Sequence, residues 1–102
     1  MLKNKYKFKI LWSQTYIGIA VNINKDFPLT TYYFWPQEDG WTLLKKKLES
    51  KPWILESTKI DILNGYTILI NYWVKNSNKK LNILNKQRKT LSFDILGINS
   101  IN

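Results

Sequence analysis

At 102 residues the chain has room for one domain. It contains no cysteine and no histidine, which excludes a disulfide framework, thiolate metal sites, and the commonest general base and nitrogen ligand. Sixteen basic residues against seven acidic ones leave a net charge of +9, a balance suited to a polyanionic partner, either nucleic acid or an anionic membrane.

The first element predicted is a strand over 5–13. Tyr6, Phe8, Ile10 and Trp12 alternate with Lys5, Lys7, Lys9 and Leu11, a period of two that gives one aromatic face and one basic face. A second strand is predicted over 16–23, where Ile17, Ile19, Val21 and Ile23 alternate with Tyr16, Gly18, Ala20 and Asn22. Ser13-Gln14-Thr15 suits a short hairpin connection between them. Residues 24–29 read as loop. The β-branched and aromatic run over 30–35 predicts a third strand, ended by Pro36.

A helix over 37–50 follows, with Pro36 suited to its first turn, Glu38 and Asp39 near its positive end, and Lys45, Lys46 and Lys47 toward its negative end. Lys51-Pro52 stops it, because a residue before proline is pushed out of the α region. Ser57 is a candidate N-cap for a second helix over 57–75. There Ile60, Leu63, Thr67, Ile70 and Val74 form one stripe and Ile62, Tyr66, Leu69 and Trp73 its neighbour, a face wide enough to require burial. Gly65 in mid-helix points to a close packing contact.

The expected fold is therefore α+β: a small three-stranded antiparallel sheet packed against two helices, occupying residues 1–75. Trp12, Ile19, Phe34, Trp41, Leu44, Leu48, Leu63, Ile70 and Trp73 are its expected core. Residues 76–102 read as a basic extension with too little apolar surface to fold alone, ordering along RNA; 90–96 is the part suited to a short strand or to docking.

Charge is unevenly placed. Residues 1–11 carry four lysines and no acid, residues 12–74 six of each sign, and residues 75–102 six cations against Asp94. A neutral aromatic body thus lies between two basic ends. Lys3, Lys5, Lys7 and Lys9 recur along one strand face at intervals of about 6.6–6.8 Å, suited to successive phosphates; the alternative is an edge strand whose lysines block aggregation. Lys45, Lys46, Lys51, Lys79, Lys80, Lys86, Arg88 and Lys89 complete the candidate RNA-binding set. Neighbours among Lys45, Lys46 and Lys47 are about 100° apart on a helix, so at most two share a surface.

The chain also holds five tryptophans, six tyrosines and four phenylalanines. Most of these rings are expected to build the core of so small a domain. Tyr33, Trp35, Trp53 and Tyr72 are candidates for a partner-facing surface. No Asp-x-Asp, glycine-rich phosphate loop or Gly-x-Ser-x-Gly pattern is present. An enzyme is not expected, nor a cofactor, a metal site or a small-molecule substrate. The most apolar window, 60–74, is too short and polar to span a bilayer, and the first nine residues lack the apolar run of a signal peptide. Abundant Lys, Asn, Ile and Tyr share A/T-rich codons, as in an organellar genome.

The blocks "LW" (11–12), "PLTTYYFWP" (28–36), "DGW" (39–41), "LESKPWI" (48–54) and "ILNGYTILINYW" (62–73) follow in order. Over 11–73 the chain resembles the plastid-specific small-subunit ribosomal protein family numbered three, also found in cyanobacteria. It departs from the family pattern at Gln37, where a basic residue is usual, at Gly40, where alanine is usual, at Ile68, in place of an acid, and in its short loop over 24–27. The tail from Asn76 has no evident family counterpart. The resemblance implies an accessory protein of the chloroplast small ribosomal subunit, in the plastid stroma. Its partners would be ribosomal RNA and neighbouring small-subunit proteins, with no membrane and no reaction. A free organellar RNA-binding regulator is the alternative.

Overall fold

The computed structural model describes residues 5–24 and 27–76, together with the backbone of 94–100. Strand β1 (Tyr6–Trp12) and strand β2 (Ile17–Ile23) form an antiparallel hairpin in the register Tyr6–Ile23 to Trp12–Ile17. Its turn is closed by the Ser13 N–H donating to the Tyr16 carbonyl at 3.0 Å and the Thr15 N–H donating to Ser13 Oγ at 3.3 Å. The alternation of residue types decides the faces. Phe8, Ile10 and Trp12 are buried on one face beside Ile17, Ile19, Val21 and Ile23; the lysines take the other.

The far edge of β2 pairs with two short strands in turn. Strand β3 (Phe27–Pro28) takes its end at Asn22 and Ile23, and strand β4 (Tyr33–Trp35) pairs with Ile17 to Ile19. Between them Thr30 replaces a strand partner: its Oγ1 accepts from the Val21 N–H at 3.0 Å and donates to the Thr31 carbonyl at 2.8 Å. That substitution of side chain for backbone is why the predicted strand over 30–35 shrinks to three residues. The predicted loop over 24–29 likewise contains β3.

Helix α1 (Gly40–Glu49) starts three residues later than predicted. Pro36 does not open it; the Trp35–Pro36 peptide is cis and lies in a turn. The turn is clasped from both sides, with the Glu38 N–H donating to the Phe34 carbonyl and the Phe34 N–H to Glu38 Oε1, each at 2.8 Å. Asp39 is the N-cap: its carboxylate accepts from the Thr42 N–H at 3.2 Å and the Thr42 hydroxyl at 2.7 Å, satisfying donors left over at the helix start. Helix α2 (Glu56–Asn76) runs for 21 residues. Ser57 lies inside it instead of capping it, and the Leu55 carbonyl already accepts from the Lys59 N–H.

Both helices and the inner sheet face share one core, with Leu44, Leu48, Ile54, Ile62, Tyr66, Leu69 and Trp73 buried against the strands. Two expectations fail here. Trp41 is 40% exposed, because α1 turns Gly40, Leu44 and Leu48 inward and Trp41 sits about 100° away from that line. Along α2 the buried stripe is Lys59, Ile62, Tyr66, Leu69 and Trp73; Ile60 and Val74, at 54% and 60% exposure, face outward, and Leu63 and Ile70 are half-buried. Trp73 fixes that choice. Its indole N–H donates to the Ser13 carbonyl at 2.7 Å, tying the end of α2 to the hairpin turn, and Tyr72 meets Trp12 edge-on with centroids 6.2 Å apart.

Strand β5 (Asp94–Ser100) pairs parallel with β1 from Lys7–Asp94 to Trp12–Ser100. The sheet order is β3-β2-β1-β5, with β4 also on β2. The α+β arrangement is as expected, but the sheet is larger than three antiparallel strands, and part of the 76–102 stretch read as an extension belongs to it. No helix among the described residues is long and apolar enough to cross a membrane.

Candidate nucleic-acid interface

The sheet register builds a surface on the face away from the helices. Opposed pairs share a face in an antiparallel ladder, so Lys7, Lys9 and Leu11 lie beside Asn22, Ala20 and Gly18. The Gly18–Phe34 pair adds Phe34 to the same face. Small residues on β2 let large neighbours reach across it. A Cβ at Gly18 would come within 2.7 Å of Phe34 Cε1, so the bare glycine is the seat of the Phe34 ring. One row along, Lys9 extends past Ala20 and places Nζ 5.8 Å from the Tyr32 ring centroid.

Phe34 is the centre of a ring cluster. Tyr16 meets it edge-on at 5.7 Å between centroids and 74°, and Tyr32 lies tilted against it at 6.2 Å and 33°. All three rings are partly exposed. A shallow apolar cavity lined by Tyr16, Phe34, Gln37 and Glu38 continues the cluster past the hairpin end. Glu38 is the acid of that end, and its carboxylate is engaged by the Phe34 N–H.

Lys7 and Lys9 lie half-buried on this face, and Lys5, exposed, immediately precedes β1. Their strand is interior, held between β2 and β5, which removes the edge-protection reading. Lys45 and Lys46 lie on exposed positions of α1, away from this sheet face, and Lys51 is half-exposed after it. Lys45 Nζ sits 5.5 Å from the Trp41 ring centroid. Lys3, Lys79, Lys80, Lys86, Arg88 and Lys89 lie outside the described residues.

Of the partner-surface candidates, Tyr33, Trp35 and Tyr72 are partly buried and pack against the core. Tyr33 and Trp35 point to the helix side because they oppose Ile19 and Ile17. Burial, then the Glu38 carboxylate, push the Tyr33 hydroxyl above its ordinary range. Trp53 is 54% exposed and forms a groove with Phe27, Ile23 and Asn24. The rings on the outer sheet face are instead Tyr16, Tyr32 and Phe34; the sequence pointed to neither tyrosine, and Phe34, expected in the core, lies on this outer face because it pairs with Gly18 and not with an isoleucine. A signal for Tyr16 was present: it shares strand parity with Gly18, opposite to the isoleucines. Among the described residues no cluster of three carboxylates is placed to hold a metal ion.

Residues 29–76 match the family described as plastid and cyanobacterial ribosomal protein (PSRP-3 / Ycf65). The small ribosomal subunit protein cS23 of Gracilaria tenuistipitata var. liui is 41% identical over 99 residues, covering 94% of this chain and 99% of that protein. The cS23 protein of Cyanidium caldarium is 44% identical over 75 residues, covering 71% and 74%. A probable cS23 protein of Synechococcus sp. is 47% identical over 72 residues, covering 68% and 73%. The Gracilaria alignment takes in most of the chain beyond Asn76, so the tail does have a counterpart among relatives. Fold, charge and relatives together define a class, the small basic ribosomal proteins. Within it the chain belongs to the plastid and cyanobacterial PSRP-3 / Ycf65 family.

Proposed function

We propose that this protein is a structural component of the small ribosomal subunit of plastids. In this reading it holds ribosomal RNA on the outer face of its sheet, contacts neighbouring ribosomal proteins with its exposed helix and linker residues, and catalyses no reaction. One observation carries the RNA contact: Lys7 and Lys9, with Lys5 just before them, follow one parity along an interior strand, on the face opposite the core that α1 and α2 cover. Interior strands ordinarily bury both faces or leave a mixed polar one; a row of one sign of charge suits a phosphate backbone. Among the described residues, Glu38 has its carboxylate engaged by the Phe34 N–H, and Asp94 stands at the register position beside Lys7.

Gradient sedimentation of organellar ribosomes at stepped salt tests this. The protein is expected to travel with small subunits at moderate salt, and a Lys5→Gln, Lys7→Gln, Lys9→Gln variant to dissociate at lower salt. Equal retention of the variant contradicts the RNA contact. Protein found only at the top of the gradient contradicts the ribosomal role and favours a free RNA-binding regulator.

A further inference from the structure

The sheet face turned away from α1 and α2 carries more than charge. Its lysines are interleaved with a preorganised cluster of rings, and the two together fit a particular ligand chemistry. We infer that Tyr32, Phe34 and Tyr16 form a stacking site for unpaired bases, with Lys9 and Lys7 holding the phosphates of the same single-stranded segment. The inference rests on the RNA-binding reading above and narrows it from RNA at large to an unpaired stretch.

Three features support it. The rings are held in place before any ligand arrives: Phe34 is seated on the bare Gly18 backbone, and both tyrosines lean on Phe34. Preorganised rings lose little entropy on binding. Second, Lys9 stands 5.8 Å from the centroid of Tyr32, so a cation and a ring face are within one nucleotide of each other. Stacking platforms for single strands combine these two groups. Third, duplex RNA offers its phosphates and sugars but keeps its bases stacked internally. A purely electrostatic duplex contact gives no use to three partly exposed rings. Gln37, at the rim of the cavity beside Tyr16 and Phe34, supplies an amide that can donate to or accept from a base edge.

The test uses the full chain and two probes, a fluorescent single-stranded oligouridine and a duplex RNA of equal length, read by anisotropy across a salt series. Tyr32→Leu and Tyr16→Leu are each expected to weaken oligouridine binding by about 5- to 100-fold, the range of a base–aromatic stack. Their salt slope and duplex affinity should stay unchanged. Tyr32→Phe, which keeps the ring, should bind like the parent. Lys7→Gln and Lys9→Gln should instead each flatten the single-strand slope by about 0.7. If both leucine variants bind oligouridine like the parent while the lysine variants weaken, the stacking site is overturned and the RNA-binding reading stands. If the parent chain binds neither probe, both fall together. A readout without substitution guards against a variant that fails to fold: photo-cross-linking of halouridine oligomers to the parent chain should label Tyr16, Tyr32 or Phe34. Labelling confined to the helices overturns the inference.

Discussion

Tyr66 keeps position 40 bare of any side chain. A Cβ at position 40 would fall within 2.9 Å of Tyr66 Cζ and 3.1 Å of Tyr33 Cβ, with the Tyr66 hydroxyl nearer still. The tyrosine occupies the space that a methyl group would fill. Gly40→Ala should therefore destabilise the protein by about 1–3 kcal/mol, as overpacking does, despite alanine's better helix propensity. Tyr66→Phe alone should cost less than about 1 kcal/mol, since that buried hydroxyl has no hydrogen-bond partner among the described residues. Combining the two should recover part of the Gly40→Ala loss, and a urea-denaturation cycle without such coupling would refute the steric account.

Two ionisable groups at the same helix start respond to opposite ends of the pH scale. The Thr42 hydroxyl, then the Thr42 N–H, hold the Asp39 carboxyl below its ordinary 3.8. A lowered carboxyl stabilises the fold above its unfolded value, and that contribution disappears as pH falls through the folded one. Burial, then the Asp39 and Glu38 carboxylates, push Tyr66 from 10.0 up to about 12. A raised tyrosine stabilises fully below pH 10.0 and loses its contribution as pH rises toward about 12. Melting temperatures should show Asp39→Ala less sensitive than the parent to acid below about pH 4, and Tyr66→Phe less sensitive to alkali.

At the scale of elements, β1 and β2 were legible because one buried face imposes a period of two. The phase of α2 was not. Both of its stripes are apolar, and composition cannot say which one docks. The decision came from a long-range hydrogen bond, Trp73 to the Ser13 carbonyl, which no local pattern encodes. Lys59 lies on the same buried stripe, and its ammonium meets Glu56 at 3.3 Å one turn back. The start of α1 was misplaced for a related reason. Pro36 fits a first helical turn, yet Asp39 caps better because Thr42 supplies two donors. Strand β5 was hardest to read, since a parallel partner more than eighty residues from β1 leaves no turn signal. Its position reverses an expectation about the tail. Removing residues 94–102 should uncover one edge of β1, lower the melting temperature and promote association through the freed edge. A truncated chain that melts like the parent and stays monomeric would show that β5 adds nothing to the sheet's stability.

For the whole molecule, composition carried the functional class further than any single residue did. A chain with no cysteine, no histidine and sixteen cations has little to catalyse with and much to bind phosphate with. The lysine row was readable from strand parity. The ring cluster was not, because Tyr32 and Phe34 occur in a run of aromatics whose members point to both faces, and only the pairing with β2 separates them. If about 5–8 cations reach phosphates, log K for RNA should fall against log[salt] with a slope of about −4 to −7; a slope near zero would mean that protein contacts dominate. The central claim is that the sheet face meets ribosomal RNA, and cross-linking mass spectrometry on gradient-purified organellar small subunits tests it most directly. The account predicts RNA adducts on residues 5–9 and on Tyr16, Tyr32 or Phe34, with protein cross-links concentrated on α1, α2 and Trp53. Protein cross-links across Lys5, Lys7 and Lys9, with RNA adducts confined to the helices, would contradict it.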